Sequence, residues 1–283
     1  MIACFRPAEI DLPPYEPEVV VNAQFTPGKN WEVYLTQSRA LGDTTIRWIS
    51  DAEVLLFENG VLHDSLVELS LGKYGGTQSP IAGKCYRIEV RIVDEVVSAE
   101  DCIPLTVMID STRYTIGRSF SINDNPYQEQ SIYFRDPDSV DNFYEVLGSW
   151  EQSDDPSALA EGYQSYFFPL VNDHFFADPL FAGENHVFIS RTEGSRTVDI
   201  NGCYTPSSVD IWVILRTTSE TYYRYRKSWT RQLFNRNIIF ESVDGIYDLM
   251  FLSEPQNVYS NVEGGLGVFA GYAQDSMVLT YIK

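Results

Sequence analysis

The chain has 283 residues, enough for one large or two ordinary domains, and its 44% of apolar residues excludes global disorder. Its 40 acidic residues against 20 basic ones leave a formal charge of −20. Such a chain repels phosphate backbones, so nucleic acid is excluded as a partner class, and no apolar run approaches the ~20 residues of a membrane-spanning helix.

At the start, Met1-Ile2-Ala3-Cys4 has the shape of the end of a bacterial lipoprotein signal, in which the cysteine receives the lipid. The plain alternative is an ordinary cysteine near a native start. Pro7, Pro13, Pro14 and Pro17 follow, mixed with Glu9, Asp11, Glu16 and Glu18. Proline fixes φ and lacks a donor, so the segment reads as an extended spacer, not a helix or a central strand. Residues 1–17 are therefore assigned as signal remnant and tether.

From residue 18 the period is close to two. EVVVNAQF and WEVYLTQS flank a Thr26-Pro27-Gly28 turn, and Asn59-Gly60 between apolar runs predicts a type I′ hairpin. Tyr86, Ile88, Val90 and Ile92 alternate with Arg87, Glu89 and Arg91, as in a strand with one dry face. Residues 18–107 thus read as an antiparallel, immunoglobulin-like β-sandwich of about seven strands. Cys85 and Cys102 lie symmetrically about the turn near Asp94-Glu95, which places them opposite each other and within reach of a disulfide. Cys203 would then be unpaired.

Residues 108–283 predict a larger antiparallel β-domain with longer connections. SIYFRD, NFYEVLGSW, HVFISR, SVDIWVILRTTS and DSMVLTYI read as strands. One helix is expected near residues 219–234: Ser219 is a good N-cap, and Tyr222, Tyr225, Trp229 and Leu233 share one face, which reads as core packing. SNVEGGLGVFAGY predicts a kinked strand that helps close the second sheet, with Leu266, Val268 and Ala270 on one side and Phe269 on the other.

Catalytic motifs are scarce. His63, His174 and His186 stand far apart, with no paired cysteine motif, so the pattern offers no zinc site and no catalytic cluster. Asp136, Asp138 and Asp141, with Asn142, form a weak calcium candidate without the spacing of an EF-hand; an Asp-Pro turn explains them equally well. Gly265, Gly267 and Gly271 lack both the third spacing and the following helix of a phosphate loop. No cofactor is implied. Phe167, Phe168, Phe175, Phe176 and Phe181 crowd a stretch with few strand signals. They are either a partner-docking patch or rings that plug the open end of the second domain.

NVYSNVEGGLGVFAGYAQDS, with VVVNAQFTPG, DAEVLLFENG, GKCYRIEV, DPDSVDNFYEV and ETYYRYRKSW in order before it, resembles domain of unknown function 4249, a family of bacterial envelope lipoproteins. The resemblance implies a lipobox cysteine just before the first strand, where Cys4 lies, and neighbouring genes for TonB-dependent receptors. It implies no activity. The resulting expectation is an all-β, non-catalytic lipoprotein of the outer membrane, exposed at the cell surface, that serves a TonB-dependent receptor in binding or assembly. A stand-alone carbohydrate- or peptide-binding lipoprotein and a carboxylate-dependent hydrolase remain as alternatives.

Overall fold

The computed structural model describes residues 15–40, 42–93, 95–118, 126–138, 140–149, 174–193, 211–236 and 257–279. The first unit carries β1 (Val19–Phe25), β2 (Glu32–Gln37), β3 (Arg47–Trp48), β4 (Glu53–Glu58), β5 (Val61–Ser70), β6 (Lys73–Gly75), β7 (Cys85–Ile92) and β8 (Glu95–Cys102). The second carries β9 (Ile109–Arg118), β10 (Pro126–Arg135), β11 (Phe143–Ser149), β12 (Phe175–Ala177), β13 (Asn185–Glu193), β14 (Ile211–Thr218), the helix α1 (Glu220–Arg236) and β15 (Leu266–Leu279). The protein is all-β with one helix among the described residues.

Alternation explains the strands. In β7, Tyr86, Ile88 and Val90 are buried while Arg87 and Arg91 are exposed. Asn59 and Gly60 take φ of 51° and 79°, the pair of left-handed residues that a tight hairpin between β4 and β5 requires. The early part of β5 pairs with β4 and its later part with β6, so the sheet bends around one core. Phe25, Trp31, Tyr86 and Phe269 meet at its centre, with ring centroids 4.4 Å apart for Phe25–Phe269 and 4.9 Å for Trp31–Tyr86.

The last strand is the main departure from the sequence-based picture. The first half of β15 runs parallel to β1, from Val20 opposite Leu266 to Phe25 opposite Gly271. Its second half runs antiparallel to β14, from Thr218 opposite Tyr272 to Ile211 opposite Leu279. One strand therefore belongs to both units, and a 12-stranded sheet runs through it without a break. Paired backbone bonds between Ser98 and Glu263 also join β8 to the approach to β15. The glycine-rich stretch thus closes the first unit, not only the second sheet, and that unit draws on chain far beyond residue 107. Gly267 sits at φ 111°, and a Cβ there would fall 2.0 Å from the Val21 carbonyl oxygen. Glycine lets the two parallel backbones touch. Phe269 faces the first core, Val268 and Ala270 face α1, and Leu266 lies partly exposed outside both.

In the second unit β12, β11, β14 and β15 extend the long sheet, and β13, β10 and β9 form a separate three-stranded sheet. Ile132, Phe134 and Phe188 of the small sheet pack on Tyr144, Val146, Val213 and Leu215 of the large one. Helix α1 lies on the opposite face, where Tyr222 and Tyr225 meet Val268, Ala270 and Tyr272. Tyr222 and Tyr225 of the aromatic stripe thus pack at the seam between the units.

Candidate functional site

Two constructions in the second unit depend on chemistry beyond apolar packing. The first lies beneath α1. Phe175, Glu145, Arg216 and Gln274 are successive cross-strand partners on β12, β11, β14 and β15, so their side chains form one row across the sheet. Glu145 is 0% exposed. Arg216 Nη1 donates to its Oε2 at 2.9 Å, and the Tyr222 hydroxyl donates to the same oxygen at 2.7 Å. From α1, Arg226 donates to Oε1 through Nε at 3.2 Å and Nη2 at 3.0 Å. The Arg216 guanidinium also stacks 4.5 Å from the Tyr272 ring centroid.

Burial by itself would push the Glu145 carboxyl up, but Arg226 and Arg216 outweigh it and hold the group down to about 2. The Tyr222 hydroxyl, sealed in the same place, is pushed well above the ordinary tyrosine range by burial. A carboxylate fixed in the ionised state and closed to solvent is a structural centre, not a general acid. Sequence reading did not single it out. Its signal is a charged residue inside each of two apolar strands, FYEVLGS and IWVILRTT.

At the N-terminus of α1 a second carboxylate joins the units. Asp101, on β8, accepts from the Ser219 hydroxyl and, at 2.7 Å, from the Gly271 amide. Ser219 Oγ in turn accepts from the Tyr222 amide at 3.0 Å, which caps the helix. Burial raises the Asp101 carboxyl to about 6 despite these donors.

The second construction is a pair of surface loops, residues 136–142 and 178–184, clamped from inside. Asp136 is buried and accepts from the Tyr144 hydroxyl, from Asn142 Nδ2 at 3.3 Å and from the Gly183 amide at 3.1 Å. Asp178 is buried too: its Oδ2 accepts from the Asn142 amide at 2.7 Å, and its own amide donates to the Asn142 carbonyl at 3.2 Å. Gly183 takes φ 75° beside Asp138, whose Cβ would lie 2.8 Å from a Cβ at that position. The loops therefore nest only with glycine there. On this frame Leu180 stands 95% exposed and Val140 64% exposed.

The aromatic candidates support the loops from below. Phe175 is buried, with the Arg226 guanidinium 5.8 Å from its ring centroid. Phe176 and Phe181 are half-buried against the second core; Phe181 stacks on His186 at a centroid distance of 3.8 Å, and Phe176 lies tilted 5.7 Å from the same ring. Of the docking patch envisaged from sequence, these three rings form no open platform: Phe175 is buried and Phe176 and Phe181 are half-buried. Phe167 and Phe168 lie outside the described residues, as do Cys4 and Cys203. At the calcium candidate both oxygens of Asp136 engage protein donors, whereas Asp138 and Asp141 are exposed. Among the described residues no group of His, Cys, Asp and Glu gathers to hold a metal. Cys85 and Cys102 are directly opposite on β7 and β8 and bonded, with Cα atoms 3.9 Å apart.

Bent sheets around two cores, a shared strand and loops braced by buried carboxylates describe an all-β scaffold that presents a fixed surface. The chain belongs to the family described as domain of unknown function (DUF4249), whose model matches residues 6–277. A comparison with curated proteins finds no match.

Proposed function

We propose that this protein is a non-catalytic lipoprotein of the bacterial outer membrane that docks a TonB-dependent receptor as its binding or assembly companion. Lipid on Cys4 would anchor it at the cell surface, and residues 5–17 would serve as the spacer. The observation that carries the docking reading is the clamped loop pair: Leu180 and Val140 are exposed apolar residues on a frame fixed by Asp136 and Asp178. A preformed apolar tip loses little conformational freedom on binding. The charge of −20 would speed encounter with a receptor whose extracellular loops are basic. The large buried carboxylate centre, Glu145, is closed to substrate, which favours binding over hydrolysis.

Co-purification of the native lipoprotein with its receptor in mild detergent tests the reading. Leu180→Glu should abolish capture while the thermal transition stays put. Deleting residues 172–183 is not a clean test, because it removes β12 and the buried Phe175. Palmitate labelling that disappears in Cys4→Ala tests the anchor. Capture that survives Leu180→Glu and Val140→Glu together would remove the docking site from this loop pair.

A further inference from the structure

Helix α1 covers only part of the outer face of the large sheet. Along one row of that face, Val268 on β15 is opposite Asn22 on β1, Asn22 is opposite Tyr34 on β2, and Tyr34 is opposite Lys73 on β6. Val268 is buried under α1. Tyr34 is exposed, Lys73 beyond it is half-buried, and Trp48, Val67, Leu69 and Leu71 around them are exposed.

Around a Glu32–Lys73 ion pair that the Tyr34 hydroxyl joins, the uncovered half carries apolar side chains. Leu35 is in the core, so Thr36 and its cross-strand partner Trp48 point outward. Trp48 lies over Gly72, where a Cβ would be 2.7 Å from the ring. Tyr74 is in the core, so Gly75 and its partner Val67 point outward as well. Leu69 lies over Gly75, 2.5 Å from where a Cβ would be. Leu69 is 62% exposed and Leu71, in the following turn, 63%. Glycine at these two positions leaves the room that the Trp48 and Leu69 side chains occupy over the sheet. An apolar face of this kind on a chain of charge −20 calls for an occupant.

The position of the tether says which. Ser38 follows Thr36 by two positions, which returns it to the outward side. Its hydroxyl accepts from the Tyr15 hydroxyl at 2.6 Å and from the Glu18 amide at 2.9 Å. The chain therefore leaves the body at the edge of this face, beside β3. From Cys4 to Tyr15 it can reach at most roughly 40 Å at ~3.3–3.6 Å per residue. We infer that the uncovered outer face of β2, β3, β5 and β6 rests on the lipid surface, with Trp48, Leu69 and Leu71 as the contacting side chains. This inference rests on the anchored reading: the lipid on Cys4 is one membrane signal and the apolar face is the second, weak contact that orients the body. Tryptophan suits the position because its ring favours the boundary between acyl chains and water.

The test uses the full-length chain carrying Cys4→Ala, so that no acyl group contributes, and vesicles of zwitterionic phosphatidylcholine at millimolar lipid. The chain should float with the vesicles, and added salt should not release it, because contact with a neutral surface is apolar. Trp48→Ser or Leu69→Ser should each lower the partition coefficient roughly tenfold, as expected for withdrawing one large side chain from the interface. Leu180→Ser, on the loop pair, should leave it unchanged. No flotation, or flotation indifferent to Trp48 and Leu69, overturns the inference. Loss of receptor capture or of self-association in those variants, with vesicle binding unchanged, assigns the face to a protein and overturns it equally. Because the chain is unlipidated, failure here leaves the palmitate result standing. Absence of palmitate would remove the anchor without altering the vesicle measurement.

Discussion

Replacing Glu145 by Gln is the most demanding test of the seam beneath α1. The carboxylate is wholly buried and faces two buried guanidinium groups, on Arg216 and Arg226. Gln keeps the shape but removes the only negative charge in the row and turns an amide N–H₂ toward donors. Its carboxyl is held at about 2, against an ordinary value of 4.5. At about 1.4 kcal/mol per unit, that depression corresponds to about 3 kcal/mol of stability. A folded value below the unfolded one means that the stabilisation is complete above pH ~4.5 and is lost as the pH falls toward ~2. Breaking a buried pair by removing one partner costs roughly 3–5 kcal/mol. For a chain of this size the melting temperature of Glu145→Gln should fall by about 10 °C at pH 7. Scanning calorimetry between pH 2 and pH 7 should show the parent losing stability below pH ~4.5 and the variant following a flatter course. Replacing all three charged residues by apolar ones of similar volume should restore much of the loss. A Glu145→Gln chain within about 1 kcal/mol of the parent at pH 7 would refute this account of the seam.

Gly267→Ala should fail to fold or lose more than ~4 kcal/mol, because its Cβ would meet the Val21 carbonyl at 2.0 Å in a backbone conformation that disfavours alanine. Soluble expression and a denaturant midpoint near the parent's would refute it. Asp101 works in the opposite pH direction to Glu145: its carboxyl is raised to about 6. Stability from this group should therefore rise by up to about 3 kcal/mol as the pH falls from ~6 to ~4 and be lost as the pH rises through ~6. Asp101→Asn should flatten that rise, and persistence of the slope in the variant would show that another group carries it. The Cys85–Cys102 bond spans a sequence separation of 17, so reduction, or Ser at both positions, should cost about 3 kcal/mol in urea unfolding. Intact mass showing free thiols at both positions in the unreduced chain would refute the bond.

Much of the architecture can be read locally. The alternation in CYRIEVRI, the Asn59-Gly60 hairpin and the Ser219 cap with Tyr222 and Tyr225 behind it are short-range signals, because backbone period and turn sterics act within a few residues. The register of Cys85 against Cys102 is of the same kind, since one hairpin sets it. Long-range partners leave no such trace. GGLGVFAG announces a close backbone approach, but only the folded chain shows that the approaching strand is β1, nearly the whole sequence away, and that β15 serves both units. The phenylalanines at 175, 176 and 181 look the same in sequence whether they face a partner or a core. In the folded chain Phe176 and Phe181 pack against Phe134 and Tyr144 and Phe175 is buried near Arg226, while Leu180 on the clamped loops stays exposed. Glu145 and Asp101 are two among 40 acids in the sequence. Burial alone sets them apart, by making one carboxylate depend on two arginines and lifting the other toward neutrality, and burial is a property of how distant strands meet.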